Sequence, residues 1–359
     1  MKSDYDIIIV GAGPAGLSAS FFSKYYDNDN NYRVLLLDRL SKEKYEKYHD
    51  ICGGCISKVA FEEIKPIKPN HILENLKLTR EYVVDKFRIE NKINGYIINR
   101  PKFFYEILDE FKQMGGIYKS ISITDIKPGK EIIKIKTNKD EIIRTRFLIG
   151  ADGASSITRK KMNLGDINST LTVQYVIDKE PEHGVLKIFY DEKYQGDYKW
   201  IFPNGDTSKV GFPSLGNMKI DIKGKVLKKQ SRLIGCGGLR NIVKGNVLLI
   251  GDAAGQTNLL SKGGIRPGMF AGKIAAESIV KYNTPLRYQI DWKKSIFNTE
   301  KMNIAFEKLK NMNNDEIIEH LQPFKNNNFT GFLKAIFFKK YWKYLDLYKA
   351  YNLERSIGW

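Results

Sequence analysis

Cysteine is scarce in this sequence of 359 residues, with Cys52, Cys55 and Cys236 its total. That count excludes a disulfide-stapled secreted fold, and a reducing compartment is expected. An iron–sulfur cluster would need four cysteine ligands, and a zinc site begun at Cys52 and Cys55 has no second pair. Long apolar runs are also missing. No stretch reaches the roughly 18 residues that cross a bilayer, so no transmembrane helix is expected. No secretory leader is visible before Ile7-Ile8-Ile9-Val10, and there are no internal repeats or low-complexity linkers. Acidic residues are few beside basic ones, 41 against 59, for a formal net charge of +18. Such a field favours anionic partners, although a Lys-rich proteome gives the same excess. No recognised RNA-binding motif accompanies it, so nucleic acid is not the expected partner.

What is present points to a nucleotide-binding enzyme. The length suggests two lobes, with room for a core and a large cofactor. Asp6 to Val10 reads as a buried parallel strand, Pro14 to Lys24 as a helix and Arg33 to Leu37 as a second strand. This is the βαβ opening of a doubly wound sheet. Between strand and helix stands Gly11-Ala12-Gly13-Pro14-Ala15-Gly16. Gly11 permits a tight turn, Gly13 lets the backbone approach a pyrophosphate, and Gly16 lets the helix pack on the sheet. The helix N-terminus adds N–H groups and a positive dipole end for phosphates. Asp38, with Arg39 after it, ends the second strand, where an acid can bond ribose hydroxyls. Two further buried strands end in similar turns, at Gly150-Ala151-Asp152-Gly153 and at Gly251-Asp252-Ala253-Ala254-Gly255. Asp152 reads equally as a turn cap and as a cofactor ligand. Asp252, beside a second glycine-rich turn, reads as a ligand.

The segments between these motifs are β-rich. Tyr82 to Arg100 reads as two short strands about an Asn94-Gly95 turn. Pro101 to Met114 reads as a helix. Leu171–Asp178, Val185–Tyr190, Lys199–Phe202 and Lys209–Phe212 read as strands, and the tail from Asp291 is helical in composition. Gly331 to Tyr351 mixes aromatics with lysines, which suits a packing helix or a membrane interface. The expected organisation is a discontinuous dinucleotide-binding domain over residues 1–80, 101–165 and 235–285. A substrate-binding β-sheet domain takes 81–100 and 166–234, and a helical region takes 286–359.

These motifs resemble those of a large family of FAD-dependent oxidoreductases that includes aromatic hydroxylases, flavin halogenases and geranylgeranyl reductases. The resemblance covers roughly residues 4–280. It implies an α/β fold: a Rossmann-like FAD-binding domain of the glutathione-reductase and aromatic-hydroxylase type, with an inserted antiparallel β-sheet. It also implies Asp252 at the flavin ribitol or pyrophosphate and Gly263-Gly264-Ile265 at the flavin N1–O2 edge. Arg100, which by itself reads equally as a surface arginine, would lie near the cofactor. Tyr198-Lys199-Trp200-Ile201-Phe202-Pro203, followed by Gly211, is similar to the YxWxFP…GxG signature of geranylgeranyl reductases. Cys52-Gly53 resembles their CGG segment near the isoalloxazine. The resemblance places Tyr198, Trp200, Phe202, Pro203 and Gly211 along a substrate cavity. Alternation puts the three aromatics on one strand face, as a packed core strand would also do. The sequence departs from the family pattern in places. Pro213 replaces the last glycine of the signature, and Asn258-Leu259-Leu260-Ser261-Lys262 replaces a Pro and Gly/Glu segment. Arg266 stands where a small or aromatic residue is common, and Cys55 adds a CxxC.

The activity so implied is an FAD-dependent reductase that saturates carbon–carbon double bonds of isoprenoid chains in lipids, with hydride leaving flavin N5. An isolated alkene then needs a proton from an acid in a dry pocket, for which Cys52 and Tyr198 are the candidates. The implied partners are an isoprenoid lipid and an external electron donor: ferredoxin, reduced flavin, quinol or NAD(P)H. A cytoplasmic location is expected, with peripheral contact at the inner face of the membrane left as an alternative. Two other readings stand beside this one: a monooxygenase or halogenase of the same fold, and a non-enzymatic prenyl-lipid carrier. The intact set of Gly11, Gly13, Gly16, Asp38 and Asp252 argues against the carrier. No metal site is expected.

Overall fold

The computed structural model describes residues 3–357 except 217, 219, 299 and 327. Its first sheet has eight strands. Val243–Lys244, Val247–Leu249, Ile142–Gly150, Tyr5–Val10, Val34–Asp38 and Ile117–Ser120 lie side by side in that order. Ile123–Lys127 and Ile133–Thr137 form a hairpin against the outer half of Ile142–Gly150. The central pairings are parallel, with Val10 opposite both Leu37 and Gly150. Ile7, Ile8, Ile9, Leu35, Leu36 and Leu37 are all fully buried, as expected of a sheet covered on both faces.

Two helices run antiparallel to these strands on one face. Pro14–Tyr25 and Ile265–Val280 cross with almost no side-chain layer between them. A Cβ on Gly272 would lie 2.4 Å from the Ala15 carbonyl oxygen and 2.7 Å from the Ala19 nitrogen. Ser18 Oγ donates to the Met269 carbonyl at 2.6 Å. Small residues at this crossing fix both helix N-termini at the carboxyl ends of the central strands, where open α/β sheets bind their ligands.

The second sheet also has eight strands: Lys225–Cys236, Asn168–Asp178, Thr207–Pro213, Lys199–Asn204, Val185–Tyr190, Ile72–Val83, Phe87–Ile98 and Cys55–Ser57. Its neighbours pair antiparallel except Val185–Tyr190 with Ile72–Val83, which are parallel, so the sheet is mixed where a purely antiparallel one is expected. It also starts earlier in the chain, since Cys55–Ser57 and Ile72–Val83 belong to it.

The hairpin turn is another departure. Asn94-Gly95 lies inside a strand, and the chain reverses instead at Val84-Asp85-Lys86, with φ of 46° at Val84 and 53° at Asp85. Gly95 serves close approach: a Cβ there would meet the Ile56 carbonyl oxygen at 2.8 Å. Lys225–Cys236 escapes the sequence reading because its lysines look like a solvated loop. It is an edge strand, where such charges discourage pairing with other chains.

Helices Glu300–Lys310, Asn314–Leu321, Asn328–Phe337 and Leu345–Ile357 cover one face of the second sheet. Val83 and Ile89 of the sheet pack with Met302, Ile317, Leu321 and Leu347.

Candidate flavin and substrate site

The glycine turn is held by its neighbours. Gly11 has φ of +103°, and a Cβ there would sit 2.3 Å from the Ala151 carbonyl oxygen. A Cβ on Gly16 would fall 1.8 Å from the Gly11 carbonyl oxygen. Gly13 differs: the nearest atom to its Cβ position is His49 Cε1, at 4.0 Å. The turn is therefore tight behind and open in front, which fits a pyrophosphate approaching its backbone. Pro14 and Ala15 begin the helix after it. Asp38 Oδ2 accepts from Ala12 N at 2.7 Å, and Oδ1 accepts from Leu40 N at 2.7 Å. Arg39 beside it is exposed.

The other two motifs arrive at the same edge. Ala151 N donates to the Val10 carbonyl at 2.8 Å, and Ile250 N to the Gly150 carbonyl at 2.9 Å. Asp152 accepts from Ser156 Oγ at 2.6 Å and from Thr158 N at 2.9 Å, so its carboxylate starts the helix Ile157–Met162. Asp252 accepts from Thr257 Oγ1 at 3.0 Å and Gly235 N at 3.2 Å, tying its turn to the second sheet. Gly251 has φ of +61° and packs towards Ala15. Gly263 and Gly264 precede the helix that starts at Ile265.

Arg100 is a buried first residue of the helix Arg100–Gln113, which Asn99 caps. Its Nη1 donates to the Ile51 carbonyl at 3.2 Å, while its Nε has no hydrogen-bond partner. His49, also buried, leaves Nδ1 without a partner. Burial and the nearby Arg100 and Arg232 hold this imidazole well below its ordinary pKa. Two orphaned buried polar atoms beside an open glycine turn fit a polar cofactor there.

The segment Asp50–Cys52 is fastened to the second sheet. Lys209 Nζ reaches the Cys52 carbonyl at 3.0 Å and Asp50 Oδ1 at 3.3 Å, and Gln230 Nε2 reaches Asp50 Oδ2 at 3.1 Å. Burial alone would raise the Asp50 carboxyl; Lys209, Lys228 and Gln230 outweigh it and hold it below its ordinary value. Burial likewise opposes ionisation of Cys52, but Arg100, the Gly54 N–H, Arg232 and Lys209 bring its thiol below the usual range. Cys55 packs by Leu76, Ile97 and Leu186, and burial raises its thiol well above the usual range.

Tyr198, Trp200 and Phe202 form a row with ring centres 6.1 Å and 6.5 Å apart. Two of them lie on glycines. A Cβ on Gly211 would be 2.0 Å from Trp200 Cζ2, and one on Gly53 would be 2.5 Å from Phe202 Cδ2. Phe202 and Pro203 line a cavity of about 300 Å³. Tyr198 lines a larger one of about 630 Å³ between the second sheet and the C-terminal helices. One wall of this larger cavity is apolar, with Ile89, Ile188, Leu321, Phe324 and Phe332.

Sequence reasoning missed the loop that joins this cavity, at Leu260 and Ser261, to the glycine turn at Gly263-Gly264. The loop before that turn is gripped from three sides. The Tyr198 hydroxyl donates to the Ser261 carbonyl. Lys262 pairs with Asp197 at 2.8 Å, both side chains 8% exposed. Asn258 Nδ2 donates to Glu354 Oε2. The segment Asn258–Lys262, a departure from the family pattern, is thus shaped by partners far away in sequence. Lys209, Gln230 and Glu354 escape notice for the same reason, carrying no local signal.

A three-motif turn at the carboxyl edge of a parallel sheet, with a mixed sheet laid beside it, defines a flavin-dependent oxidoreductase fold. Comparisons with known proteins narrow it. No family model matches the chain. It is 29% identical over 363 residues to an uncharacterized protein of Methanocaldococcus jannaschii, covering 89% of each. It is 26% identical over 329 residues to digeranylgeranylglycerophospholipid reductase of Methanococcus aeolicus, covering 81% of this chain and 82% of the relative. Among solved structures, a geranylgeranyl bacteriochlorophyll reductase-like protein from Thermoplasma acidophilum superposes with a TM-score of 0.77 at 19% identity. That match covers 97% of this chain and 99% of the other. A flavin-dependent brominase superposes at 0.70 and 16% identity, with the same coverage. The chain is thus similar over most of its length to the geranylgeranyl reductases among flavin-dependent oxidoreductases.

Proposed function

We propose that the protein is an FAD-dependent reductase that saturates carbon–carbon double bonds in the isoprenoid chains of lipids. The observation that carries this reading is the cavity of about 630 Å³, whose end at Tyr198 and Ser261 adjoins the loop into Gly263-Gly264. Its volume is in the range of ligand pockets, and its apolar wall suits a hydrocarbon chain. The relative from Methanococcus aeolicus is named for such a lipid. FAD would be held by Gly11 to Gly16 and Asp38 at one end, and by Arg100, the Asp252 turn and Gly263-Gly264-Ile265 beyond. When bound and reduced it supplies hydride. The chain's own share is to fix the lipid against the Tyr198 end, keep water out and hold a proton.

Reducing equivalents come from an external donor, since the sequence carries a single complete GxGxxG. The lipid comes from a membrane surface. Leu333, Ile336, Phe337, Phe338 and Trp342 are exposed on a ridge that also carries Lys334, Lys339 and Lys340. Phe332 on the same helix lines the cavity. Apolar and basic residues together suit an anionic lipid interface. Among the described residues no helix is long and apolar enough to cross a membrane.

The test is anaerobic. Protein loaded with FAD and reduced by dithionite is mixed with unsaturated digeranylgeranyl phospholipid. The lipid should gain one H2 for each saturated bond, read by mass spectrometry, as the flavin reoxidises. Unchanged lipid beside persistent reduced flavin would overturn the reading. A product that requires oxygen, or oxygen and halide, would point to the monooxygenase or halogenase alternative.

A further inference from the structure

Hydride addition to an isolated alkene is incomplete without a proton on the neighbouring carbon. The inference below rests on the reductase reading and concerns the source of that proton. The two candidates legible in sequence are poorly placed for it. Tyr198 already gives its O–H to the Ser261 carbonyl, and burial pushes its phenol far up. Cys52 is drawn towards thiolate by its cationic neighbours and does not line the large cavity.

Glu354 is placed differently. It projects from the helix Leu345–Ile357 into the cavity wall beside Tyr198 and Ser261. Its Oε2 accepts from Asn258 Nδ2, its Oε1 is buried with no partner at good hydrogen-bond geometry, and the Ser261 hydroxyl lies close enough to the carboxyl to favour its ionised form. The direction of this contact is fixed. Asn258 Oδ1 accepts from Leu260 N at 2.8 Å and from Ser261 N at 3.3 Å, so its amide nitrogen must face the carboxyl. Asn258 N in turn donates to the Gly263 carbonyl at 3.1 Å. A carboxyl is thereby locked onto the loop that leads to the paired glycines, with one oxygen left over. A buried carboxyl oxygen without a well-aligned donor is better borne as a neutral O–H than as an anion.

We propose that Glu354 is the proton donor of the double-bond reduction, delivering its proton from Oε1 to the alkene carbon that does not receive hydride. The carboxyl O–H bond breaks and a C–H bond forms. The alkene is reduced, the flavin is oxidised, and the Glu354 carboxylate regains a proton from water at the cavity mouth. Its surroundings suit the task. Burial raises its pKa to about 7, with Ser261, Asn258 and Arg266 pulling it back down. The other titratable groups facing this cavity are Tyr198 and Asp197 by the strand Lys199–Asn204, Glu81, Lys92, Tyr190 and Asp191 across it, His320 on the helix Asn314–Leu321, and Tyr351 and Arg355 on the same helix. An acid titrating near the operating pH is the effective kind.

Two measurements test this. Difference infrared spectra of the flavin-loaded protein, taken without lipid as pH rises through neutrality, should show a carboxylic acid band vanishing near pH 7. Glu354→Gln, which keeps the acceptor for Asn258, should lack that band, melt as wild type and still bind lipid. Its saturation rate should fall by about a hundredfold or more. Glu354→Asp should keep a titrating band and an intermediate rate. In the wild type, saturation by the pre-reduced enzyme should decline as pH passes about 7, a profile that needs no variant. A flat wild-type profile, a band that persists in Glu354→Gln, or a Glu354→Gln rate equal to wild type would each overturn the assignment and leave the reductase reading standing. A wild-type protein that saturates no isoprenoid sinks that reading itself.

Discussion

At the scale of single residues, Gly11 and Gly13 separate two demands that one motif imposes. Gly11 is required by the fold: its φ is +103° and a side chain would strike the Ala151 carbonyl. Gly11→Ala should therefore destabilise the apoprotein by about 2 kcal/mol. Gly13 has φ of −79° and free space about its Cβ position. Gly13→Ala should leave the apoprotein melting temperature unchanged and still cost most of the flavin retained on purification. Melting curves and the visible absorbance of the two variants read these outcomes. His320 offers a pH test. A carbonyl only accepts, so Nδ1 carries the hydrogen towards Glu316 O at 3.0 Å, and Nε2 accepts from the Tyr351 hydroxyl at 3.0 Å. Burial lowers its pKa from 6.5 to about 4. The unfolded chain then binds the extra proton first, so stability falls as pH drops from the unfolded pKa towards the folded one. Between neutrality and about pH 5 this histidine should cost about 2 kcal/mol. His320→Gln should remove that increment from the denaturation curves. The glycines were legible in sequence because their steric demand is local. Glu354 was not, because within Leu345–Ile357 it reads like any solvated helix glutamate until Asn258 arrives beside it.

At the scale of elements, the loop Asn258–Lys262 draws its shape from its three fasteners. Lys262 and Asp197 form a nearly dry pair. Removing one partner strands the other, at a cost of about 3–5 kcal/mol. Lys262→Met should show that loss in urea melts, and the Lys262→Met, Asp197→Leu double variant should recover most of it. Equal losses in the single and double variants would mean the pair does not act as a unit. Strand and helix periods made the central βαβ unit, the helix after Asn99 and most of the second sheet readable. The hairpin was misplaced because Asn94-Gly95 has turn chemistry, whereas Gly95 is spent on the backbone approach to Ile56. The parallel pair and the edge strand were unreadable because pairing direction depends on tertiary neighbours and not on composition.

At the scale of the whole molecule, a net charge of +18 accompanies an exposed apolar ridge at Leu333–Trp342. Sedimentation with phosphatidylglycerol vesicles should capture the protein, and neutral vesicles should capture far less. Salt should weaken the capture, as expected for charges at a surface. Phe337→Ala with Trp342→Ala should lower the partition coefficient about tenfold without altering the flavin spectrum. Phe337 is 76% exposed, so its loss leaves the core intact.

The first sheet is assembled from pieces widely separated along the chain: Tyr5–Val10, Ile142–Gly150 and Val247–Leu249. A ribosome adding roughly 5–20 residues per second needs about 10–50 s to travel from the first to the last of these. For that interval Ile7-Ile8-Ile9 leaves the exit tunnel before its final neighbours exist. Nascent chains should therefore engage chaperones that hold hydrophobic segments, and acquire a cofactor late in synthesis.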